Sequence, residues 1–116
     1  MATDISVTEV SPSLRRIAIS GRLDIIGTDS IAIKFAAASV SAEKRVVVDL
    51  SQVGFLASIG IRALITNAKS LQQRGGKLVL FVGDNEAVLK TLEVTGIDAL
   101  IPLFRNAADA EQAALA

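Results

Sequence analysis

Val46-Val47-Val48-Asp49-Leu50 and, after a short gap, Phe55-Leu56-Ala57-Ser58-Ile59-Gly60-Ile61-Arg62 form the stretch whose reading decides the fold. The first part is a continuous apolar run rich in β-branched residues, the pattern of a strand covered on both faces inside a largely parallel sheet. Beyond it, Ile61, Leu64, Ile65, Ala68 and Leu71 repeat at three and four residues, which predicts a helix from about Ser58 to Arg74 with that face inward. Ser51 to Gly54 reads as a turn, so the strand is expected to end near Leu50. Ser58, the only hydroxyl between Ser51 and Thr66, then falls where a buried strand hands over to a helix.

The same periods extend in both directions. Ile5, Val7 and Glu9 alternate with Ser6, Thr8 and Val10, Ser11-Pro12-Ser13 has turn chemistry, and Arg16 to Ser20 alternates again, predicting an antiparallel hairpin closed by Gly21. Gly27-Thr28-Asp29 is expected to supply a loop glycine and a cap for a helix carrying Ile31, Phe35 and Ala38. Past Gly75-Gly76, Lys77 to Val82 reads as a strand. Asp84 reads as the cap of a helix bearing Val88, Leu89 and Leu92, and Gly96 as its left-handed end. Ala99 to Ile101 is expected to form a last strand, marked as an edge by Pro102, and Asn106 with Asp109 to start an alanine-rich helix. The order ββαβαβαβα predicts an α/β fold, a mixed sheet with about four helices, spanning 1–116 as one domain.

Composition narrows function. At 116 residues one ordinary core is expected, and 12 basic against 12 acidic residues leave no net field to draw the chain onto nucleic acid or an anionic membrane. The absence of cysteine and histidine removes disulfides, Cys/His metal sites, thiol nucleophiles and the Ser-His-Asp relay. The carboxylates are scattered rather than paired, so no enzymatic activity is expected. Met-Ala-Thr-Asp-Ile-Ser has no basic region leading into an apolar segment, and no run approaches the ~20 apolar residues of a membrane span, so a cytoplasmic protein is expected.

Ligands of such sheets sit beyond the strand C-termini, where Ser58 falls. A serine there can cap the helix by accepting from its first N–H groups, and those groups also favour a phosphate on the hydroxyl. Counting along the helix, Arg62, Thr66, Lys69 and Gln73 make a polar strip away from the apolar face, either solvated or a partner surface. Arg74-Gly75-Gly76-Lys77 lacks the hydroxyl residue after lysine and precedes a strand, which makes it a helix-ending turn rather than a phosphate loop.

Gly21-Arg22-Leu23-Asp24, Val48-Asp49-Leu50-Ser51 and Phe55 to Gly60, in this order of elements, resemble the STAS domain of anti-sigma factor antagonists. The resemblance continues through Leu71 to Leu78, Leu92 to Gly96 and Asn106 to Leu115. It implies a cytoplasmic protein that binds an anti-sigma factor serine kinase and loses that binding when a hydroxyl at the start of the second helix is phosphorylated. A protein phosphatase would reverse the modification. Carried onto this chain, it makes Ser58 the candidate phosphoacceptor, and Ser58, Ile59, Gly60, Arg62, Thr66, Lys69 and Gln73 the candidate partner-binding residues, with no cofactor and no metal. The family motif is Asp-Ser-Ser-Gly or Asp-Ser-Thr-Gly with the second hydroxyl usually modified, whereas this chain has Ala57 and Ile59 around Ser58. Three readings follow: Ser58 is the acceptor, the domain binds without phosphorylation, or it is a scaffold or ABC-transporter-associated subunit of a partner ATPase. Asp24 and Asp49, at one end of the sheet in this resemblance, read as loop and strand-end hydrogen-bonding groups ahead of magnesium ligands.

Overall fold

In the computed structural model, which describes residues 3–39 and 44–116, the chain runs β1 (Asp4–Ser11), β2 (Leu14–Leu23), α1 (Ile25–Ser39), β3 (Arg45–Leu56), α2 (Ser58–Gln73), β4 (Lys77–Phe81), α3 (Glu86–Thr95), a 3-10 turn (Ile97–Ala99), β5 (Leu103–Phe104) and α4 (Ala107–Leu115). The sheet follows sequence order, β1-β2-β3-β4-β5, with β1 antiparallel to β2 and every other pairing parallel. This is the expected order of elements.

Alternation along β3 explains why Val46, Val47 and Val48 are apolar in succession. Val46, Val48 and Leu50 enter the larger core with Ile17 and Ile19 of β2, Phe35 of α1, Leu64 and Leu71 of α2, and Leu92 of α3. Val47 points the other way, into a thin second layer with Leu14, Val79 and the alanines Ala110 and Ala114 of α4. Both faces are covered over Val46 to Val48, while Arg45 and Asp49, on the same face as Val47, lie half-buried where the second layer thins.

Four boundaries differ from the sequence expectation. The strand does not end near Leu50 and Ser51 to Gly54 is not a turn: β3 runs on to Leu56 beside β2, through two places where it carries an extra residue. The pairing steps from Ala18↔Asp49 to Ser20↔Gln52, then from Gly21↔Val53 to Arg22↔Phe55. Each bulge inverts the inward parity, so Val53 and then Leu56 face the core although polar residues and glycine surround them. The side chain of Asn85 braces this segment, its Nδ2 donating to the carbonyls of Leu50 at 3.0 Å and Val53 at 2.7 Å.

Nor do Gly27-Thr28-Asp29 begin α1. Asp24 does, accepting the Gly27 N–H at 2.8 Å, and Gly27 is the residue that fits there because a Cβ would lie 1.8 Å from the Arg22 carbonyl oxygen. The cap of α3 is Asn85, accepting from Val88 N–H at 3.3 Å, rather than Asp84. Finally, residues 97–99 wind into a 3-10 turn and Ile101 is buried, so the edge strand forms after Pro102, at Leu103–Phe104, against Leu80 and Phe81. Gly96 at φ 75 and the Asn106 cap on Asp109 N–H are as expected. So is the turn at Gly75, where Gly75 and Gly76 donate to the carbonyls of Gln72 and Leu71.

Because Asn85 joins the β3 bulges to α3 through its donors as well as its cap, Asn85→Asp is expected to destabilise the fold by about 1–3 kcal/mol even though aspartate caps as well as asparagine. Urea unfolding measures this, and an unchanged midpoint would leave the cap as the residue's only contribution.

Candidate functional site

The C-terminal ends of β2 and β3 lie side by side, Leu23 opposite Leu56, and the Ala57 N–H donates to the Leu23 carbonyl at 3.0 Å. That bond holds Ala57 extended, at φ −90 and ψ 169, while its own carbonyl accepts the Ile61 N–H and opens α2. Ala57 is therefore the cap residue, and among the described residues no side chain caps this helix. Ser58, expected as a cap, is instead the first helical residue. Its side chain is exposed, and its hydroxyl has no hydrogen-bond partner among the described residues.

Gly60, one of the candidate partner-binding residues, is buried. A Cβ there would stand 2.9 Å from the Leu23 Cβ and 3.0 Å from the Leu23 carbonyl oxygen, so glycine lets the first turn of α2 seat on the strand ends. Ile59, 37 % exposed, faces outward beside Ser58. Arg62, Thr66, Lys69 and Gln73 are all exposed, and neither Arg62 nor Lys69 forms an ion pair among the described residues. They follow the length of α2, so at ~1.5 Å per residue Gln73 lies about 22 Å from Ser58. The structure thus gathers Ser58, Ile59 and Arg62 at one end and leaves Lys69 and Gln73 on the far half.

Beside this end, Arg22 lies over the Phe55 ring at 4.4 Å and its Nε meets Asp24 at 3.2 Å. The Gly27 N–H bond, helped by Arg22, holds the Asp24 carboxyl below the usual carboxylate range. Asp49 is engaged separately, accepting from the N–H and hydroxyl of Ser51, and no group of three metal-ligating side chains occurs among the described residues. Sequence reasoning missed the exposed isoleucines Ile25 and Ile26 in the first turn of α1.

The family model of the STAS domain matches residues 6–110. BtrV of Bordetella bronchiseptica, named for an inferred anti-sigma factor antagonist, is 31% identical over 88 residues, which is 76% of this chain and 75% of that protein. An anti-sigma factor antagonist domain protein from Planctomyces limnophilus superimposes with a TM-score of 0.80 at 28% identity, covering 98% of each chain. An antagonist from Mycobacterium paratuberculosis shares the fold at a TM-score of 0.87 and 22% identity, over 99% of this chain and 96% of that one. No described helix is long and apolar enough to cross a membrane.

Since Ser58 caps nothing, Ser58→Ala should leave stability within about 0.5 kcal/mol, alanine being the better helix former, whereas a loss near 1 kcal/mol in thermal unfolding would restore the capping role. Asp24→Ala should lower the melting temperature at neutral pH. With the folded carboxyl titrating lower than the unfolded one, the contribution is complete above the usual aspartate range. It fades as pH falls through the lowered value, so the two melting curves should converge in acid.

Proposed function

The chain belongs to the STAS domain family of anti-sigma factor antagonists, and on that premise we propose that it binds an anti-sigma factor serine kinase and is released when that kinase phosphorylates Ser58. The observation that carries this reading is the uncommitted Ser58 hydroxyl at the first helical position of α2, exposed beyond the strand ends. An acceptor serine must present its oxygen to a kinase, and a capping serine would have that oxygen turned onto the helix. Free N–H groups in the first turn favour the phosphate once attached, and Arg62, one turn on, can pair with it. The protein therefore stays folded in both states and only its surface changes.

Docking in this reading uses Ser58, Ile59 and the exposed strip of Arg62, Thr66, Lys69 and Gln73. Phosphate adds roughly two negative charges beside the apolar Ile59, and their desolvation and repulsion at the contact end the binding. A protein phosphatase resets the site. The chain contributes no catalytic step of its own; the phosphoryl chemistry belongs to its partners, and the reading locates all of this in the cytoplasm.

Incubation with the cognate kinase and ATP should add one phosphate, seen by intact-mass spectrometry and lost in Ser58→Ala. Ser58→Asp should bind the kinase much more weakly than the wild type while Ser58→Ala binds constitutively. A second reading, a permanently unmodified binder, rests on Ile59 at the family's usual acceptor position. It would be supported if the wild type takes no phosphate while Ile59→Ser is modified at the new serine.

Charge reversal tests the docking face separately. Arg62→Glu and Lys69→Glu should each weaken kinase binding with little change in stability, as titration calorimetry and thermal unfolding would read, and full affinity in both would move the interface elsewhere.

A further inference from the structure

Between α1 and α2 lies a groove of about 540 Å³, within the roughly 300–1,000 Å³ typical of small-molecule sites. Ile26, Phe35 and Ile59 contribute apolar wall, and the small side chains of Ala32, Ala36 and Ala63 leave the room between the helices. Arg62 and Asp29 also line it, one charge of each sign, so the groove has no net charge to select an ion.

Two polar side chains more than nine-tenths buried line the same groove from opposite helices. Asn67 of α2, 8 % exposed, donates through Nδ2 to the Ala63 carbonyl at 2.8 Å, and its Oδ1 accepts no bond among the described residues. Thr28 of α1, 6 % exposed, has a buried hydroxyl without a partner among the described residues. Leu64 and Leu71, the buried residues before and after Asn67 on α2, are apolar, whereas Asn67 presents to the groove an amide oxygen that accepts no bond among the described residues. Packing alone does not account for asparagine here.

We propose that the groove binds a small, neutral, largely apolar molecule carrying one N–H or O–H donor, its body between α1 and α2 and its donor on Asn67 Oδ1. The free acceptor specifies the donor, the balanced rim specifies neutrality, and the walls specify the apolar body. The groove shares Ile59, Arg62 and Thr66 with the docking face, but its ligand chemistry rests on Asn67 and does not require phosphorylation of Ser58.

Indole and 1-methylindole test this with one ring and one donor. Titrated into the 15N-labelled full chain, indole is expected to shift the amide signals of groove residues on both helices and the side-chain NH2 of Asn67. It should bind measurably tighter than 1-methylindole, because its N–H can pair with Asn67 Oδ1 and the methylated ring nitrogen cannot. Asn67→Leu should abolish that preference. The proposal is overturned if neither compound binds the wild type, or if Asn67→Leu keeps the preference. Equal binding of both to the wild type also overturns it, because the groove is then an apolar surface with no use for the asparagine. Should Asn67→Leu fail to fold, as circular dichroism would show, the comparison of the two compounds on the wild type decides alone.

Discussion

The close approach of Gly60 to Leu23 is the constraint on which the upper end of the molecule depends. With a hydrogen in place of a side chain, the first turn of α2 rests directly on the last residues of β2, and the Ala57 N–H completes the contact by bonding the Leu23 carbonyl. Two neighbouring strand ends and one helix start are thereby fixed together. The orientation of every residue on the first turn of α2 follows: Gly60 in, Ser58 and Ile59 out.

That geometry separates two demands which a serine at a helix start usually meets at once. A capping oxygen is turned onto the backbone and is worth about 1 kcal/mol to the fold, while an acceptor oxygen must be turned away. Ala57 opens the helix through its backbone alone, at some cost in stability, and Ser58 keeps its hydroxyl outside. The free N–H groups and Arg62 lie close by, so the same helix end that does without a cap is suited to an anion.

Much of this was legible in the residues. The apolar run at Val46 to Leu50 and the three-and-four spacing from Ile61 to Leu71 reported a two-faced strand and an amphipathic helix correctly, because burial there is regular and the period records it. The strand extension was not legible. Ser51, Gln52 and Gly54 have turn chemistry, and what accompanies them into the sheet is pairing with β2 on one side and, from more than thirty residues away, the side chain of Asn85 donating to the Leu50 and Val53 carbonyls. Caps were misplaced for a related reason. Asp24, Asn85 and Ala57 were chosen by backbone geometry set by tertiary contacts, and Gly27 resembled a loop residue only because the steric demand of the Arg22 carbonyl is invisible in one dimension. The polar strip on α2 could be read by counting, whereas the groove beside it needed the packing of two helices distant in sequence.

The paired bulges in β3 carry a consequence for how this chain can change in length. Each extra residue inverts which side of the strand faces the core, and two restore the phase, so Leu56 points the same way as Leu50. A chain that lost one residue from this stretch would either flip Leu56 to the outside or start α2 about 100° out of rotation, carrying Ser58 toward the sheet and bringing a bulkier neighbour onto Leu23. Substitutions within the stretch leave that phase untouched. Only an even change in length between Asp49 and Ser58 would keep Leu56 inward with α2 in its present rotation.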